Sequence, residues 1–97
     1  MVTVIWIDLA IEDIDHIAAY ISQASRKYAT VTVNKIFQQT EILKTYPRAG
    51  RIVPETNTEA IRELLGGNYR IIYETISEER IEILTVHHRA RQLINNL

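Results

Sequence analysis

Three runs that can form strands, at positions 60–65, 68–76 and 80–88, the last two rich in β-branched and aromatic residues, follow one another with almost no chain between them. Gly66, Gly67 and Asn68 separate the first two, and Ser77, Glu78 and Glu79 separate the second pair. Connectors this short cannot carry a crossover, so each strand must turn back beside its predecessor and the three form an antiparallel meander. Ile81, Ile83, Leu84 and Val86 leave the last strand little room for a solvated face.

The first half has a different period. Residues 2–7 are β-branched and aromatic and predict a buried strand, which Asp8 stops. Asp8 suits a helix N-cap, with Glu12 and Asp13 in the turn that follows. Ile14, Ile17, Ala18, Ile21 and Ala24 recur at helical spacing, which predicts an amphipathic helix over residues 9–27 with an acidic outer face. A second helical pattern runs through Val33, Ile36, Phe37, Thr40 and Leu43 until Pro47 and Gly50 end it, and the two helices make a hairpin. The β-branched residues near 29–33 weaken its start. Residues 51–59, with Pro54 and Asn57, read as a polar loop. The order is strand, two helices, three strands and a short C-terminal helical turn. That implies an α+β domain with both helices on one face of a mainly antiparallel sheet.

Ninety-seven residues allow one domain, and a domain of this size buries only about 60–70% of its unfolded surface, so a partner covering apolar surface would add to its stability. Cysteine is absent, which removes disulfides and thiolate chemistry and fits a reducing cytosol. No secretory leader or membrane segment is recognisable, so a cytoplasmic protein is expected. The formal net charge of −1 is unlike that of a bulk nucleic-acid binder, yet residues 86–97 hold His87, His88, Arg89 and Arg91 and no acid.

The motifs for phosphate loops, paired-histidine zinc sites and nucleophile elbows are missing, and no cofactor is expected. What remains are basic side chains expected at the sheet edge and its end: Arg62, Arg70, His87, His88, Arg89 and Arg91. Adjacent histidines on a strand project to opposite faces, which disfavours a shared metal ion. A histidine could serve as a general acid or base while a neighbouring arginine holds a phosphate. Alternatively, Arg70 pairs with Glu74 on the same strand face and the histidines simply end a strand.

The order of elements, the segment PRAGR at 47–51, Arg62-Glu63-Leu64, the strand NYRIIYE and the tail VHHRAR resemble the RelE/ParE toxin superfamily over nearly the whole chain. The resemblance implies a bacterial toxin held inactive by a cognate antitoxin, in an assembly with two copies of each. It implies one of two targets: RelE-like members cut messenger RNA on the ribosome, whereas ParE-like members act on DNA gyrase. In the RelE pattern an arginine of the YRxxY strand and one after the last strand contribute to catalysis, and these match Arg70 and Arg89. Two lysines and a tyrosine of that pattern fall on Ile61, Glu63 and Asn95 and are missing. Other ribonuclease members use a glutamate base and a histidine acid, which Glu63 with His87 or His88 could supply. A positioned acid or base is typically worth about 10²- to 10⁴-fold, so the missing groups favour the gyrase target. Arg62, His88 and Arg91 are then candidate target or phosphate contacts. A non-toxic, protein-binding relative of the same fold is the third possibility. The antitoxin tail is expected along the hairpin and the sheet edge, carrying basic and apolar side chains.

Overall fold

The structure, a computed structural model, describes residues 1–90. The segment expected to form a C-terminal helical turn, with Arg91 and Asn95, lies outside the described residues. The elements are β1 (Thr3–Trp6), α1 (Asp8–Ser22), α2 (Arg26–Thr40), a 3-10 turn (Glu41–Lys44), β2 (Arg51–Ile52), β3 (Ile61–Gly66), β4 (Tyr69–Ser77) and β5 (Arg80–His88). The sheet order is β1-β5-β4-β3-β2. The expected meander is present as β3, β4 and β5, and β1 joins it parallel to β5. The fold is α+β, with both helices on one face of the sheet.

Several expected boundaries move. The single helix expected over 9–27 ends at Ser22, because Ser25 starts α2: its hydroxyl accepts from the Tyr28 amide at 3.0 Å. That cap sets the start of α2 at Arg26, so the β-branched residues that follow do not delay it. Asp8 is not the N-cap of α1. Ile7 takes that position with an extended backbone and no side-chain cap, and Asp8 is the first helical residue, where its charge meets the positive end of the dipole. The loop expected over 51–59 contains a strand, β2, whose two residues pair with Arg62 and Glu63 of β3.

Alternation along the strands sorts the side chains. Tyr69, Ile71 and Tyr73 of β4, Ile81, Ile83 and Val86 of β5, and Leu64 of β3 face the helices, where Ala10, Ile14 and Ile36 meet them. Each large apolar side chain so buried contributes about 1.5–3 kcal/mol. A spacing of three from Ile83 to Val86 breaks strict alternation and is accommodated by a bulge: Thr85 lies opposite Ile72 and Ile83 opposite Tyr73, leaving Leu84 unmatched. Leu84 therefore packs on the far face with Val53, Ile61 and Ile72. The loop after β2 closes over that second cluster, turning at Asn57 in a left-handed conformation, φ 49°.

The Tyr73 hydroxyl anchors the approach to β2, donating to the Pro47 carbonyl and accepting from the Gly50 amide, each at 2.9 Å. Gly50 is confined to glycine by this approach, since a Cβ there would stand 2.5 Å from the Glu63 carbonyl oxygen and 2.7 Å from the Tyr73 hydroxyl. Among the described residues, no helix is long and apolar enough to cross a membrane.

Candidate functional site

The sheet face away from the helices brings four charged residues into one network. Glu63 of β3 and Arg70 of β4 point to this face on adjacent strands, and Arg51 of β2 lies opposite Glu63. Arg70 Nε donates to Glu63 Oε1 at 2.6 Å, while its Nη1 and Nη2 donate to the two oxygens of Glu55, each at 2.8 Å. Arg51 Nε donates to Glu63 Oε2 at 2.6 Å. The guanidinium of Arg70 is thus gripped on two sides, and the grip by Glu55 has the parallel two-bond geometry that is strongest for this pair of groups.

The side chains of Arg70 and Glu63 are 7% and 0% exposed, so this network is interior rather than solvated. Hydrogen bonding to Glu55 raises the pKa of Arg70 further above its ordinary value, burial opposes this, and Glu63 adds to the rise. Arg70 remains charged at every accessible pH. The expected pairing with Glu74 does not form, because Glu74 lies further along β4 opposite Ile61 and Glu82, whereas Glu55 folds back over the sheet on the loop. Nor is Arg70 at the sheet edge: β4 is the central strand of five.

The other sequence-derived candidates divide between places. His87 lies opposite Arg70 on β5, on the same face, with its Nε2 3.2 Å from the Thr85 hydroxyl. Glu63, Arg70 and His87 therefore share one face over three strands. His88 points to the other face and meets the Tyr69 ring edge-on, centroids 5.7 Å apart. Arg89 is exposed beyond the end of β5, its Nη1 3.3 Å from the Gly67 carbonyl. Arg62 faces the helix side and braces the loops, donating to the carbonyls of Glu59 and Gly50 at 3.1 and 3.0 Å.

Three further residues position this face without a signal in the sequence pattern. Glu55 and Arg51 sit in a segment with no periodicity to direct a side chain. Asp13, on α1, takes up the edge of β5 where β1 has ended: its carboxylate accepts from the Val86 amide at 3.0 Å and from the Thr85 hydroxyl. The same carboxylate thereby orients Thr85, the neighbour of His87.

Chemically, the network is a poor phosphate site. Three donors of Arg70 are committed to carboxylates, and an entering phosphate would have to displace Glu55 and face Glu63 at the same time. Glu63 is equally ill placed as a general base, since each of its oxygens already accepts from a guanidinium.

The comparisons with known proteins agree with this architecture. The model of the ParE toxin family of the type II toxin–antitoxin system parDE matches residues 4–93. No curated protein sequence matches the chain. Among solved structures, the chromosomal ParDE toxin–antitoxin system of P. aeruginosa matches with a TM-score of 0.72 and 21% identity, over 91% of this chain and 96% of that one. A RelBE toxin–antitoxin complex of Mycobacterium tuberculosis matches with a TM-score of 0.58 and 22% identity, over 91% of this chain and 98% of that one. At such identities these likenesses carry the fold, while the match of the family model over nearly the full chain carries the assignment: the protein belongs to the ParE toxins of type II toxin–antitoxin systems.

Proposed function

We propose that this toxin is neutralised by a cognate antitoxin and arrests growth by acting on DNA gyrase, without cutting RNA. The observation that carries the choice of target is the clamp on Arg70: the arginine matching the RelE catalytic pattern is buried and held by Glu55 and Glu63. In a nuclease that side chain would have to reach a scissile phosphate. Here it holds the sheet to the loop above it, which is a structural task. The absence of lysines from β3, whose residues are IRELLG, supports the same choice.

The test is made with purified components. The toxin is added to gyrase and relaxed plasmid, and separately to translating ribosomes carrying a defined message. Loss of supercoiling with an intact message is expected. Ribosome-dependent cleavage of the message that disappears in His87→Ala or Arg89→Ala would replace gyrase with the ribosome and make those residues catalytic. Normal growth on induction, with neither activity in vitro, would make the chain a binding protein of the same fold.

A further inference from the structure

Every Asp and Glu of the chain is missing from three stretches: between Asp15 and Glu41, between Glu63 and Glu74, and after Glu82. The fold brings these stretches together at one end of the molecule. Tyr69 at the start of β4 lies opposite Gly66 of β3 and His88 of β5. Tyr28, Val31 and Lys35 of α2 line one groove with Gly66, Gly67, Asn68 and Tyr69, so the first half of α2 stands against the same spot.

Lys44, Arg48, Arg51, Arg70 and Arg80 each pair with a carboxylate. Lys27, Lys35 and Arg89, which lie in the acid-free stretches, have no carboxylate partner among the described residues. A groove of about 280 Å³ runs between α2 and the β3–β4 turn, lined by Tyr28, Val31, Lys35, Gln39 and Tyr69 among others. In its wall Tyr28 is 58% exposed and Val31 is also exposed, and Tyr20 on α1 is 76% exposed. Tyrosine offers large, stiff contact area with a polar tip, and such side chains anchor protein interfaces when surrounded by complementary charge.

We propose that this end of the molecule is a protein-docking surface for an acidic, apolar-containing segment of a partner, with Tyr28 and Tyr69 as the anchors and Lys35 and Arg89 as the charge partners. Protein is favoured over nucleic acid because the cations are few: nucleic-acid affinity grows with the number of phosphates neutralised, and a net charge of −1 repels the rest of a polyanion. The surface is distinct from the acidic face of α1, which carries Glu12 and Asp15 and would attract the opposite charge.

Fluorescence anisotropy of three labelled probes titrated with the whole toxin tests this: a short Glu–Leu repeat peptide, its Lys–Leu counterpart and an oligothymidine strand. The acidic peptide should bind most tightly. The paired substitution Lys35→Glu with Arg89→Glu should weaken it about tenfold, because like charges then face each other. Tyr28→Ala should weaken it as well, and Lys35→Gln with Arg89→Gln should fall between the wild type and the reversal. All these side chains lie at the surface, and circular dichroism checks that each variant folds. Equal binding of the basic peptide, or unchanged affinity in the reversed variant, would overturn the proposal. Tightest binding of the oligothymidine would overturn it in favour of a nucleic-acid surface.

Discussion

Glu63 joins two strands to β4 across the open face, since both of its oxygens hold a guanidinium and its side chain has no contact with solvent. Its replacement takes from the buried charge of Arg70 one of the carboxylates that hold it. Glu63→Ala should cost about 3–5 kcal/mol in urea denaturation, the usual range for breaking one side of a buried pair. Most of that loss belongs to Arg70. Arg51 is 58% exposed and its arm of the network is weakened by solvent. Removing Arg51 instead should therefore cost under about 1 kcal/mol, and equal losses from the two changes would contradict this division.

Tyr73 gives a second test, read through pH. Burial raises its pKa above the ordinary 10.0, the hydrogen bond from Gly50 partly opposing this. A group whose folded pKa is raised contributes stability that is complete below its unfolded pKa and is lost as pH rises through the folded value. The fold should therefore weaken in alkaline solution above pH 10.0, and Tyr73→Phe should flatten that decline while losing about 1–3 kcal/mol at neutral pH from the orphaned Gly50 amide and Pro47 carbonyl. Denaturation at several pH values checks both parts; an equally steep alkaline decline in the variant would assign it to another group. At this scale the sequence was least informative. NYRIIYE marks Arg70 as notable, but its partner Glu55 is 15 residues away on a loop without periodicity, and the same-strand partner Glu74 is the one that spacing offers.

Among the elements, β5 shows where pattern reading succeeds and where it stops. Its bounds, Arg80–His88, are those expected from composition, and the neighbouring turns follow from Gly67, with φ 55°, and from Ser77. The bulge at Leu84 is not a property of β5 alone. It arises because Ile83 and Val86 must both reach the helices while Leu84 closes the second cluster, which is decided by packing across the sheet. β2 escaped notice for a related reason, since two residues paired only to β3 have no period to display. The edge of β5 beyond β1 makes a prediction of its own. Asp13 stands there in place of a strand, accepting from the backbone of Val86 and the hydroxyl of Thr85. Asp13→Ala should cost about 1–3 kcal/mol and speed hydrogen exchange at Val86 more than at Ile71, on the interior strand β4. Uniform acceleration over the whole sheet would mean that Asp13 supports global stability and not this edge.

For the molecule as a whole, the order of elements and the family were legible because patterning, turn residues and motif order all agree over nearly the entire chain. The biological target was less legible, since it depends on surfaces that periodicity does not describe. One such surface lies on the hairpin itself: a groove of about 460 Å³ between α1 and α2, lined by Ala18, Ala19, Ala29 and Val33 among others. Leu9, Ile11 and Ile42 are also exposed on or beside the helical half. Small residues let a partner helix or strand approach closely, and Glu12 and Asp15 on α1 would attract its basic side chains. A domain this small gains visibly from such a cover: antitoxin at about a thousand times its Kd stabilises the folded toxin by about 4 kcal/mol. The Tm of the toxin should then rise by more than about 10 °C. Deuterium exchange on the same complex should show protection concentrated in residues 8–45. A large rise in Tm with that segment still exchanging freely would place the antitoxin on the open sheet face over Arg70 and Glu55, and Glu55→Gln, which loosens that face, would then weaken the complex while leaving the hairpin unchanged.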